Sequence, residues 1–359
     1  MSRIARVEVF SSDEIAIVHV LNRTVRRCYL LGDDPLTGKN YDHRKQWLED
    51  QLRRLAPLFG IDLLCHAVMS NHFHLVLRSR PDVVATWDDS EVARRWMMLC
   101  PRRKDALGNA LEPTEAELNM IRRNAKRLAE IRSRLSDISW WMRLLSQNIA
   151  QRANRDDRET GKFWQARYRA VRLLDETSLL ACSTYVDLNP IRAAMAQTLE
   201  TSEYTSVKHR IEALRSSARG TKAAGAHPPD GYLAPLSIDE RRDPTGPCAH
   251  TQGLRASDKG FLPMPVADYL ELLDWTARQI VRGKRGSTPA SARPVLERLG
   301  ISAPTWCALV KDFGHLFYAV AGQPHRIDEH QSRRRSKGSK RKRHRYKTRR
   351  ATRELLSTA

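Results

Sequence analysis

The stretch Ser70 to Ser79, SNHFHLVLRS, decides how this chain is read. Its Leu and Val content marks a strand, yet it carries two histidines, His72 and His74, two residues apart. Side chains alternate across a strand, so these two share one face and Phe73 takes the other. Two imidazoles about 6–7 Å apart at the backbone can converge on one divalent ion. A histidine pair on a half-exposed sheet face accounts for the same pattern, so the surroundings must decide.

Working outward, the apolar run IDLLCHAVM (61–69) meets the histidine strand across Ser70-Asn71, which predicts a hairpin with a tight polar turn. Upstream, IAIVHVLNR (15–23) is apolar and β-branched and reads as a strand, and LGDDPLTGKNYDH follows it as a loop. HRKQWLEDQLRRLAPLF (43–59) spaces Trp47, Leu48, Leu52, Leu55 and Leu58 as a helix. Downstream, residues 88–135 are charged and helical and read as an insertion. Asp137 caps a helix with a Trp141, Leu145, Ile149 stripe, and ARYRAVRLL (166–174) is a further strand. Asp175 caps ETSLLACSTYVDL, which must stop near Asn189 because Pro190 follows. The order βαββαβ predicts an α+β fold, a ferredoxin-like or RRM-like antiparallel sheet with helices on one face, plus a helical C-terminal extension.

The expected boundaries are a catalytic domain over 1–212 with its insertion at about 88–135, and a linker over 213–260 rich in Gly, Pro, Ser and charge. A small helical domain over 261–325 and a basic disordered tail over 326–359 complete the chain. The corner LGIS (299–302) resembles the turn of a helix-turn-helix.

Charge points to a polyanion. The net charge is +21, and thirteen Lys/Arg with no acid lie between Arg333 and Arg353, leaving +8 elsewhere. Such a block cannot bury itself, and each phosphate it neutralises releases counterions. The six cysteines stand singly, with no CxxC pair to suggest a zinc ribbon or redox dithiol. No run reaches the roughly 18 apolar residues of a membrane span, and the N-terminus lacks a signal peptide's apolar block. A cytoplasmic protein is expected.

In STYVDLNPIRA (183–193), Tyr185 and Asn189 are four apart and stack on one helix face. That helix follows FWQARYRA, in which Arg167, Arg169 and Arg172 are read as one face. Arginines suited to phosphate, a tyrosine, an amide oxygen and two histidines would then meet over one sheet.

The stretches HAVMSNHFHLVL, FWQARYRAVRLLDETSLLACSTYVDLNPIRA and EYTS resemble the single-tyrosine HUH transposases, the REP-associated branch most closely, over roughly residues 10–210. His72, Phe73 and His74 match that family's His-hydrophobic-His, and Tyr185, Asn189, Pro190 and Arg192 match its Tyr-x-x-x-Asn-Pro-x-(Arg/Lys) helix. The long insertion and the C-terminal 150 or so residues depart from its compact members. The resemblance implies a transposase that cleaves and rejoins single-stranded, hairpin-bearing DNA through a 5′-phosphotyrosine link on Tyr185. It also implies Mg²⁺ or Mn²⁺ held by His72, His74 and the Asn189 carbonyl oxygen, with Mn²⁺ the better match to imidazole. Arg23, Arg167, Arg169 and Arg192 are candidate DNA contacts, Trp164 a candidate stacking platform, and His66 a candidate group on the same face. The alternative is a nucleic-acid-binding protein on an RRM-like sheet that does not cleave, although RRM sheets present paired aromatics where this strand has histidines. A nickase with two tyrosines lacks its second Tyr at helical spacing from Tyr185, and a phosphoesterase with two HxS/T motifs lacks its second copy.

Overall fold

The computed structural model describes residues 9–336, apart from 36, 107, 220–226, 239–242, 249–252 and 281–290, together with 352, 355 and 356. Strand β1 (Ile17–Arg23) leads to helix α1 (His43–Leu55) and then to the hairpin of β2 (Ile61–Val68) and β3 (His72–Ser79). Helices α2 (Pro81–Thr86), α3 (Asp89–Leu99), α4 (Glu115–Arg122) and α5 (Ala125–Leu135) precede the long α6 (Ile138–Asp157) and strand β4 (Arg169–Leu173). Then come α7 (Glu176–Asp187), α8 (Asn189–Arg192), α9 (Ser206–Ala218), α10 (Val266–Ile280), α11 (Ala292–Arg298), α12 (Ala303–Leu316), β5 (Val320–Ala321) and α13 (Pro324–Ser336).

The sheet runs β2-β3-β1-β4-β5, antiparallel except for the parallel β4–β5 pair. This is the α+β architecture the element order predicts. Asp137 and Asp175 cap α6 and α7 as read, accepting from the backbone N–H of Ser139 and Ser178.

The helices, however, cover both faces. Val18, Val20, Phe73, Leu75 and Leu77 pack with Leu48, Leu52 and Leu55 of α1 and Trp141, Leu145 and Ile149 of α6. The insertion helices join this layer through Val92, Leu118 and Ile131. Ile17, Val76, Val171 and Leu173 point the other way and pack with α7, α9, α10 and α12. The second face is covered because β1, β3 and β4 keep apolar residues at both parities, and such strands need an apolar layer on each side. The amphipathic C-terminal helices supply it. Helix α12 presses Trp306, Leu309, Val310 and Phe313 into this layer, so the apolar side of the LGIS corner is taken up by packing.

The stretch 213–260 also joins the body. Tyr232, Leu233 and Leu236 are buried, and Leu233 bridges to Leu63 of β2. Arg78 and Asp62, both fully buried, pair at 2.6 Å. Arg78 also donates to the carbonyls of Pro244, Lys259 and Gly260, and Asp62 accepts from the N–H and hydroxyl of Ser257. A Cβ on Gly260 would lie 1.8 Å from the Ser237 carbonyl oxygen, so only glycine fits this crossing. Of the stretch 326–359, residues 326–336 fall in α13, and all but three of the remainder lie outside the described residues. Among the described residues, no helix is long and apolar enough to cross a membrane.

Candidate active site

The alternation of β3 sends His72, His74 and Val76 toward α7, while Phe73 packs among the α1 and α6 side chains. His72 and His74 stand ring against ring at 5.0 Å, nearly perpendicular. Nδ1 of His72 donates to Oδ1 of Asn71 at 2.7 Å, which leaves Nε2 as the bare nitrogen of the neutral ring. Nδ1 of His74 lies 2.9 Å from Nε2 of His19 on β1, and the two rings stack 5.1 Å apart. Nε2 of His74 is buried with no hydrogen-bond partner.

Burial, then Arg23, lowers the His72 pKa to about 4. Burial, then His72, His19, Arg23 and Arg192, holds that of His74 well below the ordinary value. Burial, then Arg169, brings His19 to about 3. All three rings are therefore neutral at physiological pH, which is the form that ligates metal.

Tyr185 reaches the same place from α7. Its ring meets His74 edge-on at 5.4 Å and His19 at 6.0 Å. The helical path continues through Leu188 into α8, so Asn189 stays one turn beyond Tyr185 and its amide Nδ2 donates to the Tyr185 carbonyl at 3.0 Å. The guanidinium of Arg192 lies 4.8 Å from the centre of the Tyr185 ring and donates to the Lys311 carbonyl of α12. Arg169 donates to the carbonyls of Gly314 and Phe317, also in and beyond α12. Phe313 packs 5.7 Å from the Tyr185 ring, and a Cβ on Gly314 would meet the tyrosine hydroxyl at 3.1 Å. The cavity left among His19, His74, Arg169, Tyr185, Phe313 and Gly314 is far smaller than a nucleotide.

The structure thus brings together His72, His74, Tyr185, Arg192 and Arg169, with Arg23 opposite His72 across β1 and β3. Nε of Arg23 is buried without a partner. Other residues fall elsewhere. Arg167 is exposed and lines an open groove with Trp140, Arg143, Lys162 and Trp164, in which the Trp164 indole donates to the Ser146 carbonyl. Arg172 does not share the Arg169 face: it sits opposite Val18 in register and pairs with Glu14. His66 is opposite Leu75 and so faces α1, the reverse side of the sheet from His72 and His74.

Sequence reasoning missed His19, Phe313 and Gly314. Only His19 left a signal, as the one polar residue in the Ile17, His19, Leu21 alternation.

Among the described residues, the group of three or more His, Cys, Asp or Glu whose ligand atoms lie within 4.8 Å of one another is Glu49, His66 and His209. His72 and His74 are not in it, since among the described residues no His, Cys, Asp or Glu joins the two within that distance.

No family model and no curated protein matches the chain. One solved structure is similar, a REP-associated tyrosine transposase bound to a REP hairpin, at TM-score 0.35 and 12% identity over 70% of this chain and 100% of that one. A likeness of that depth fixes neither fold nor chemistry.

Proposed function

We propose that this chain is a metal-dependent DNA strand transferase of the single-tyrosine HUH type, cutting and rejoining single-stranded DNA with Tyr185 as nucleophile. The observation that carries this reading is the meeting of Tyr185 with His74 and His72 over one sheet face, with arginines on the flanks. The buried, unpartnered Nε2 of His74 and the bare Nε2 of His72 are a donor set that suits a divalent ion, with Asn189 one helical turn from the tyrosine. Such an ion would polarise the scissile phosphate and favour the phenolate, since a phenol is a weak nucleophile until it loses its proton.

The chain's own residues do the rest. The Tyr185 oxygen bonds to phosphorus as the bond to the 3′-oxygen breaks, and that oxygen leaves as a 3′-hydroxyl after taking up a proton. The resulting phosphotyrosine keeps the phosphodiester's bond energy, so an incoming 3′-hydroxyl reverses the step without ATP. Arg23 and Arg192 supply cationic charge to the phosphate, and guanidinium forks match its oxygens. The groove of Trp140, Trp164, Arg143, Lys162 and Arg167 combines aromatic faces with cations, as single-strand tracks do. Access of DNA to Tyr185 requires α12 to withdraw, because Phe313 and Gly314 sit against the ring and hydroxyl.

That closure favours one competing reading, a nucleic-acid-binding protein that does not cleave. The two separate in a single assay. End-labelled hairpin-bearing single-stranded DNA is incubated with full-length protein in Mn²⁺, Mg²⁺ or EDTA and run on a denaturing gel. A metal-dependent covalent adduct, lost in Tyr185→Phe with hairpin binding retained, is expected. Cleavage by Tyr185→Phe equal to that of the native chain would remove Tyr185 from its role. Tight binding with no adduct under any condition would favour the non-cleaving reading.

A further inference from the structure

On the reverse side of the sheet, α1, β2 and α9 bring three ligand-bearing side chains to one buried point. Glu49 of α1 is 4% exposed, His66 of β2 is fully buried, and His209 of α9 is 8% exposed. Both imidazoles turn Nε2 toward the same carboxylate oxygen, Oε1 of Glu49, at 2.5 Å for His209 and 3.4 Å for His66. Four-coordinate zinc holds its N and O ligands at about 2.0–2.2 Å, which sets neighbouring ligand atoms about 3.3 Å apart. The His66 spacing already matches, and His209 needs to retreat by less than about 1 Å.

The surroundings resemble those of a metal ligand set. Nδ1 of His209 lies 3.5 Å from a carboxylate oxygen of Glu212, close enough for that carboxylate to orient the ring once Arg53 no longer donates to Nδ1. The second oxygen of Glu49 faces outward, 3.6 Å from Nη2 of Arg53. Arg53 is the cation that opposes a metal here, its Nη2 also 3.4 Å from Nδ1 of His209. Its side chain is 38% exposed, but its guanidinium lies 4.5 Å over the Tyr232 ring, donates to the Pro229 carbonyl and sits 3.5 Å from Nε2 of His209, so a bound ion must displace it. Tyr232 packs against both imidazoles, ring centres 6.0 and 5.9 Å away, with its hydroxyl buried and unpartnered.

We infer that Glu49, His66 and His209 form a second metal site, of the zinc class, on the sheet face opposite Tyr185, where the ion fastens α1 and α9 to the edge strand β2. The two-nitrogen, one-carboxylate set favours Zn²⁺ over Mg²⁺ or Ca²⁺, which prefer oxygen. The site is separate from the strand-transfer reading and stands whether or not Tyr185 reacts with DNA.

The test uses full-length protein stripped with chelator, in a His72→Ala/His74→Ala background so that the other histidine pair cannot answer for this one. Co²⁺, as the spectroscopic stand-in, and Zn²⁺ are titrated in turn. One equivalent of Co²⁺ giving the strong visible absorption of a four-coordinate ion is expected. At about 100-fold excess of Zn²⁺ over its dissociation constant, Tm should rise by a few degrees, reversed by chelator. Both signals should vanish in His209→Ala and weaken at least tenfold in affinity in Glu49→Gln, which keeps the shape and a hydrogen-bond acceptor should the alanine variant fail to fold. No uptake in the histidine-pair background, or uptake undiminished in Glu49→Gln, overturns the site.

Discussion

His19 is the residue on which the polar cluster beneath α12 turns. Its Nε2 bonds Nδ1 of His74, its ring lies edge-on to Tyr185 and Phe313, and burial followed by Arg169 keeps it neutral down to about pH 3. In the unfolded chain the same ring titrates near 6.5. Between these values the unfolded state binds a proton that the native state refuses, so this contribution to stability is complete above about pH 6.5 and is lost as pH falls toward 3. We expect the urea midpoint of chelator-treated protein to drop on acidification through that window, and His19→Leu to flatten the drop. A midpoint equally acid-sensitive in His19→Leu would assign the effect to other groups. His72 and His74 were legible because strand parity is local: two residues apart means one face wherever the strand goes. His19 was not, because it meets His74 diagonally across β1 and β3, through a register that pairs Leu21 with His74 and His19 with Val76. Nothing in either strand taken alone carries that pairing.

Among the elements, the capped helices and the hairpin were readable for the same local reason, since Asp137 and Asp175 announce helix starts through their own backbone partners. The segment between α9 and α10 was not. Its polar hold on the body comes from side chains of β2 and β3 and not from any periodicity of its own, with Arg78 serving three of its carbonyls and Asp62 its Ser257, beside the buried Tyr232, Leu233 and Leu236. Arg78→Ala should therefore cost about 3–5 kcal/mol, because it strands the Asp62 carboxylate and those carbonyls in the interior. Chemical denaturation measures this, and a loss below about 1 kcal/mol would mean that the segment is held by its apolar contacts instead. At the end of α7, the buried Asp187 accepts from Ser206 of α9 and Tyr269 of α10 at 2.6 and 2.8 Å. Asp187→Ala should destabilise by about 3 kcal/mol for the same reason, read in the same experiment.

At the scale of the whole molecule, charge and closure govern how DNA would be met. On the strand-transfer reading, the thirteen Lys/Arg between Arg333 and Arg353 would contact phosphates without regard to base sequence. Deleting residues 333–359 should weaken binding to all DNA alike and reduce the slope of log affinity against log salt. A loss confined to one hairpin sequence would mean that the tail reads bases. Hydrogen exchange tests closure directly: hairpin DNA that reaches Tyr185 should deprotect the amides of residues 303–316, whereas α12 protection unchanged under saturating DNA would mean that DNA binds outside the sealed site.

The seal over Tyr185 also has a thermodynamic meaning. A ligand that binds only the opened form sees its affinity reduced by the fraction of molecules that are open, so on the strand-transfer reading a closed state favoured by about a hundred to one would weaken every DNA by about a hundredfold. That penalty is uniform, while the binding energy available to overcome it is not. On the strand-transfer reading, a short or poorly paired strand would fall below the threshold, and a long hairpin engaging both the groove beside Trp164 and the basic C-terminal stretch would exceed it. Helix α12 would then act as a discriminator, setting a minimum extent of contact before the tyrosine is exposed.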